Sequence, residues 1–176
     1  MSSLISVNNL TRRYGDFCAV NNISFELAAG DILGFLGPNG AGKTSTMQML
    51  SGNLAPTLGE ISINSIDLLE NPKAAKASLG YLPENPPLYK EMTVNEYLQF
   101  CGRLHLIGKS QLNGVCDSAI ERCGLGDVRQ RLIRNLSKGY QQRVGIAQAI
   151  LHSPPVIILD EPTVGLDPIQ ILEIRQ

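Results

Sequence analysis

One stretch constrains this chain more than any other: Gly37-Pro38-Asn39-Gly40-Ala41-Gly42-Lys43-Thr44-Ser45. It fits the phosphate-binding pattern G-x-x-x-x-G-K-[ST] at every fixed position. The flanks fit as well. Ile32-Leu33-Gly34-Phe35-Leu36 is short and apolar and reads as a buried strand, and Thr46-Met47-Gln48-Met49-Leu50 reads as the first turns of a helix. Gly40 and Gly42 lack a Cβ, so the backbone can bend tightly and bring its N–H groups close to phosphate oxygens. The helix that begins near Lys43 points its N-terminal dipole at the same anion. Lys43 then reaches the β- and γ-phosphates, and the Thr44 hydroxyl ligates Mg2+. The bland alternative is a glycine-rich turn that binds nothing; the Lys-Thr pair and its flanks argue against it.

A chain of 176 residues suits one domain with a real core. The formal net charge of -1 gives no broad basic surface, so nucleic acid is not an expected partner. No apolar run approaches a membrane span and no signal peptide opens the sequence, so membrane contact is expected only through a partner. Cys18, Cys101, Cys116 and Cys123 form no C-x-x-C pair and read as reduced, mostly buried thiols. His105 and His152 have no second ligand at metal spacing and read as structural or surface residues.

In chain order, Leu4-Ile5-Ser6-Val7 alternates as a first strand, with Tyr14 in the turn that follows. Asn22-Ile23-Ser24-Phe25-Glu26-Leu27 alternates again. Tyr14 is a surface or core aromatic, or a ring that stacks on a nucleotide base. Past the phosphate loop, Gly59-Glu60-Ile61-Ser62-Ile63 and Leu79-Gly80-Tyr81-Leu82 read as strands, with a short helix capped near Asn71 between them. Prolines at 83, 86 and 87 make a bent loop around Glu84. Thr93 with Glu96 is a capping-box start to a helix, and a second helix runs from about Ser110 to Cys123. Ser137 caps a third, from about 138 to 151. Its exposed N–H groups form an anion site, although a merely well-capped helix is the commoner case. Val156-Ile157-Ile158-Leu159 reads as a buried strand running into Asp160-Glu161. With a phosphate loop upstream, Asp160 holds Mg2+ through its water shell and Glu161 polarises an attacking water. Residues 163–168 read as a turn and 169–176 as the start of a helix.

Together these segments resemble the ATP-binding subunit of an ATP-binding-cassette (ABC) transporter along the whole length present. Tyr14 is similar to the family's A-loop aromatic, and residues 37–44 to Walker A. Leu136-Ser137-Lys138-Gly139-Tyr140-Gln141 resembles the signature LSGGQ, with Lys138 for the first glycine and Tyr140 inserted in the sense of a K-G-Y-x-Q-R variant. Residues 156–161 resemble Walker B with the catalytic glutamate, and Gly165-Leu166-Asp167 the D-loop. The run from Tyr81 through Tyr89, with residues 136–140, looks like ATPases of ABC-2-type exporters, the gliding-motility and multidrug branch.

The resemblance implies an α/β phosphate-loop ATPase core with an N-terminal antiparallel β segment and a helical subdomain at about 88–150, within one cassette over 1–176. It implies ATP and Mg2+ as ligands, and Glu161 as the catalytic residue. Tyr14, residues 37–45, Ser137 and Gly139 would bind nucleotide, and Thr44, Glu84 and Asp160 would serve the metal. It implies a head-to-tail homodimer or pseudo-dimer, with Ser137 and Gly139 acting across it. A transmembrane permease and the cytoplasmic face of the inner membrane complete the expectation. Glu84 departs from the family's Q-loop glutamine and adds negative charge near Asp160 and Glu161. The family continues with a further strand and a switch histidine. Gln176 precedes both, so the sequence reads as C-terminally truncated. A nucleotide-binding fragment without efficient hydrolysis is therefore a competing expectation. A soluble ABC ATPase of DNA repair or translation is a third, disfavoured by the lack of a long coiled coil or basic face.

Overall fold

The computed structural model describes residues 3–162, a mixed α/β chain that divides into two compact units, Met1–Leu79 and Gly80–Gln176.

The first unit is built on a four-stranded antiparallel sheet. β1 (Ile5–Tyr14) and β2 (Phe17–Leu27) form a hairpin, β3 (Leu58–Ile63) pairs with the other edge of β1, and β4 (Ile66–Asp67) pairs with β3. Alternation sets one face: Ile5, Val7, Ile61 and Ile63 are buried. The hairpin is longer than its alternating cores suggest, so Tyr14 closes β1 and sits opposite Phe17 rather than in the turn. β1 is bulged near Asn9, which adopts a left-handed φ of 49°. Two side chains satisfy backbone groups near the bulge: Ser24 Oγ accepts from the Asn9 N–H at 2.8 Å, and Thr11 Oγ1 accepts from the Asn22 N–H at 3.0 Å. The β3–β4 turn places Asn64 and Ser65 at positive φ, a tight hairpin turn. Asn-Ser is a weak turn signal, which is why β4 is not legible in the sequence. Two helices complete the unit. α1 (Lys43–Leu50) buries Thr46, Met49 and Leu50, and α2 (Pro72–Ala77) starts from Asn71 without a side-chain cap bond.

The strand expected over residues 32–36 does not form. These residues have no regular structure, and Ile32 and Leu36 are 98% and 95% exposed. Only Phe35 finds an aromatic partner, edge-on to Phe25 of β2 at 5.7 Å. A strand is made by its neighbours. Among the described residues, β1 to β4 hydrogen-bond among themselves and β5 pairs with β6, so this run has no ladder to join.

The second unit pairs β5 (Leu79–Leu82) with β6 (Val156–Leu159) and surrounds an apolar cluster with three helices. α3 (Val94–Leu104) begins with the expected capping box: Thr93 Oγ1 accepts from the Glu96 N–H, and the Glu96 carboxylate accepts from the Thr93 N–H at 2.8 Å. These bonds hold the Glu96 carboxyl below its ordinary range. α4 (Lys109–Arg122) and α5 (Lys138–Ile150) follow, and the cluster they share includes Leu98, Cys116, Leu125, Ile133 and Val144. β6 is not uniformly buried: Val156 and Ile158 face inward while Ile157 is 47% exposed, the alternation of a strand covered on one side.

The four thiols are free, with Cys101 and Cys116 buried and Cys18 and Cys123 half-buried. Burial pushes the Cys101 and Cys123 thiols up to about 11, so they stay protonated and unreactive. His105 and His152, distant in sequence, stack with ring centroids 3.8 Å apart where α3 and α5 end. Burial lowers the His105 pKa and favours its neutral ring.

Candidate functional site

Residues 37–41 lie open to solvent ahead of α1. Pro38 to Ala41 forms a turn closed by the Ala41 N–H donating to the Pro38 carbonyl at 3.2 Å. Gly40 and Gly42 take left-handed φ values of 83° and 85°. The chain thus doubles back and enters α1 with Gly42 as its N-cap. Lys43 folds over this loop, donating from Nζ to the Gly37 carbonyl at 2.7 Å and to the Pro38 carbonyl at 3.1 Å. Its ammonium is therefore held at the mouth of the turn. α1 carries no side-chain cap bond and no acidic residue in its first turn, so no side chain of its own neutralises its N-terminal N–H groups. Exposed Thr44 and half-buried Ser45 follow Lys43 in that turn. A fixed cation beside an uncapped helix N-terminus is a fit for a phosphate group.

Gly42 is required for a second reason. A Cβ there would clash with the Ala19 carbonyl oxygen of β2, so the loop is pressed onto the sheet. Gly40 has open space around it. Gly42→Ala is expected to cost ~2 kcal/mol or more, from the left-handed φ and the backbone clash together. Gly40→Ala should cost only about 1 kcal/mol, from φ alone. Urea-unfolding midpoints of the two variants check this, and equal losses would show that the approach to Ala19 does not constrain the loop.

Tyr14 is in the same unit, at the end of β1, and the residue is 46% exposed. The remaining candidates lie in the second unit. The Asp160 N–H donates to the Leu82 carbonyl at 2.9 Å, so the paired ends of β5 and β6 bring Asp160 beside the chain that leads to Glu84. Asp160 is buried, while Glu84 and Glu161 are exposed. Glu161 adopts a φ of 50°. A non-glycine residue held left-handed stores about 1 kcal/mol or more, and such strain clusters at working sites. Ser137 caps α5 as expected, its Oγ accepting from the Tyr140 N–H at 3.3 Å. Ser137 is exposed and Gly139 buried. Lys138 donates to Asn85 Oδ1 at 3.2 Å, tying the start of α5 to the loop that carries Glu84. That link is invisible in the sequence, because the two residues are far apart along the chain. Residues 163–168, including Gly165, Leu166 and Asp167, lie outside the described residues.

A phosphate loop that opens onto an uncapped helix, within a mixed α/β chain, defines a phosphate-loop nucleotide-binding protein. The sequence profile of the family described as ABC transporter matches residues 20–164. The chain belongs to the ABC transporter ATP-binding family. It is 42% identical over 165 residues to the uncharacterized ABC transporter ATP-binding protein YxlF of Bacillus subtilis (strain 168), covering 94% of this chain and 54% of that protein. It is 41% identical over 176 residues to the bacitracin transport ATP-binding protein BcrA of Bacillus licheniformis, covering 100% of this chain and 56% of that one. A solved structure described as the ATP-binding subunit of an ABC transporter is similar with a TM-score of 0.88 and 30% identity, covering 98% of this chain and 72% of the other. The chain spans about half the length of these two curated relatives. Among the described residues no helix is long and apolar enough to cross a membrane.

Proposed function

We propose that the subunit carrying this chain binds ATP with Mg2+ and hydrolyses it to drive an ABC-2-type exporter. The observation that carries the reading is the Lys43 ammonium, fixed by the Gly37 and Pro38 carbonyls at the uncapped start of α1. In this reading Lys43 moves from those carbonyls to the β- and γ-phosphates, and residues 37–45 wrap the phosphate chain with backbone N–H groups. Tyr14 stacks on the base. Thr44, Asp160 and Glu84 are the oxygen donors suited to Mg2+, which when bound would offset the phosphate charge. Glu161 orients the attacking water. Ser137 and Gly139 present the N-terminus of α5 to the γ-phosphate of a second subunit, because that charge must be neutralised from more than one side. Closure of the dimer on ATP would act through a helical subdomain at about 88–150 and the Glu84 loop, moving a permease between inward- and outward-facing states.

The relatives support a role in transport through their names, bacitracin transport being one, and the export direction is part of this proposal. A permease partner places the subunit at the cytoplasmic face of the membrane. The experiment is ATP turnover by the whole subunit in vesicles with its permease. Mg2+-dependent phosphate release that rises when the permease is present is expected. Nucleotide binding without turnover would overturn the hydrolytic reading and leave a binding module.

A further inference from the structure

The end of β1 carries an arrangement that the phosphate loop does not explain. Strand alternation puts Arg12 and Tyr14 on the same side of β1. The Arg12 guanidinium lies over the Tyr14 ring, its central carbon 4.5 Å from the ring centroid. It is pinned there: Nη1 donates to the Ala55 carbonyl at 2.9 Å. The Ala55 segment is itself tied to β1, since the Thr57 N–H donates to the Thr11 carbonyl and Thr57 Oγ1 accepts from the Arg13 N–H. Arg12 Nε is shut away from water with no hydrogen-bond acceptor. The cation is thus partly dewatered against the ring, the condition under which a cation–π contact is strongest. With this cover in place the tyrosine remains 46% exposed.

We infer that Arg12 is a positioning residue for nucleobase recognition: it backs Tyr14 from one face, so that a purine base stacks on the opposite one. The inference rests on the proposed reading of Tyr14 as the base-stacking residue. Two physical effects support it. An exposed aromatic side chain must lose rotamer freedom when a base lands on it, and a ring already fixed by Arg12 loses less. A guanidinium on one face also draws π density toward itself, leaving the far face less negative and a better partner for an electron-rich purine. Neither effect touches the phosphates. Arg13 is the natural control, because alternation turns it to the other side of the strand.

The test is calorimetric binding of ATP and of inorganic tripolyphosphate, which lacks the base, to the whole subunit. Arg12→Met keeps the stem and removes the charged plane. It is expected to weaken ATP roughly threefold to tenfold while leaving tripolyphosphate unchanged. In a Tyr14→Ala background the same change is expected to do nothing further to ATP. Arg13→Met should leave both ligands as they are. Arg12→Gln keeps a donor for the Ala55 carbonyl and carries the same expectation should Arg12→Met not fold. Equal losses for ATP and tripolyphosphate would make Arg12 a phosphate ligand or a general clamp and overturn the inference. So would an undiminished effect without Tyr14. If Tyr14→Ala weakens ATP but the Arg12 variants do not, the inference alone falls. If Tyr14→Ala leaves ATP affinity unchanged, the base-stacking reading falls and takes the inference with it.

Discussion

Lys43→Ala is expected to abolish tight ATP binding, lowering affinity by roughly 100-fold or more. The magnitude follows from what one ammonium supplies to two phosphate groups: charge-assisted hydrogen bonds of about 1.5–3 kcal/mol each, where 1.4 kcal/mol is a factor of ten. The structure adds a second route to the loss. Lys43 Nζ bridges the Gly37 and Pro38 carbonyls, so its removal also frees the loop that must present its N–H groups. Both routes act on the ligand and not on the core. Lys43 is only half-buried, and its bonds lie within the solvent-open loop. Thermal unfolding without nucleotide should therefore stay near the parent value. Calorimetry with ATP reads the affinity, and an unchanged constant would sink the assignment of residues 37–45 to the phosphates.

Glu161→Gln is expected to separate binding from turnover. The amide keeps the size and hydrogen-bonding reach of the carboxylate but cannot accept a proton from water. Turnover should fall by about 100- to 10,000-fold, the contribution of a positioned general base, while ATP stays bound and holds the dimer together. The backbone offers a control. Glu161 sits at a φ of 50°, a conformation that glycine adopts without strain. Glu161→Gly would relax that strain, whereas Glu161→Gln retains it. If the amide variant turned over near the parent rate in single-turnover assays, Glu161 would not be the water-orienting residue. If it lost ATP binding as well, the carboxylate would be holding the site together rather than acting in the chemical step.

Legibility in the sequence followed the range of the interactions. The Thr93–Glu96 capping box and the Ser137 cap were readable because donor and acceptor lie three residues apart, and local chemistry settles them. β3 and β5 were readable from alternating or continuous apolar runs bounded by turns. The segment 32–36 was not, because an apolar run is the same string whether or not a neighbouring strand accepts its hydrogen bonds. Arg12 was missed in the same way. Alternation could have placed it on Tyr14's side of the strand, but the Ala55 carbonyl that pins it comes from a distant loop.

The sequence by itself determined the chemistry available: the Gly-Lys-Thr of a phosphate loop, the acidic pair Asp160-Glu161 after an apolar strand, and the capped helices between them. These depend on residue type and short spacing, which the chain carries wherever it goes. Only the tertiary structure decided that Lys43 rests on the Gly37 and Pro38 carbonyls, that Gly42 is pressed against Ala19, that Lys138 reaches Asn85, and that Arg12 lies over Tyr14. The Lys43 bonds are local and alternation relates Arg12 to Tyr14, but the approach of Gly42 to Ala19, the reach of Lys138 to Asn85 and the Ala55 carbonyl that pins Arg12 each bring together segments that no local rule relates. The free energy that selects them comes from packing the whole sheet or helix cluster rather than from any one stretch.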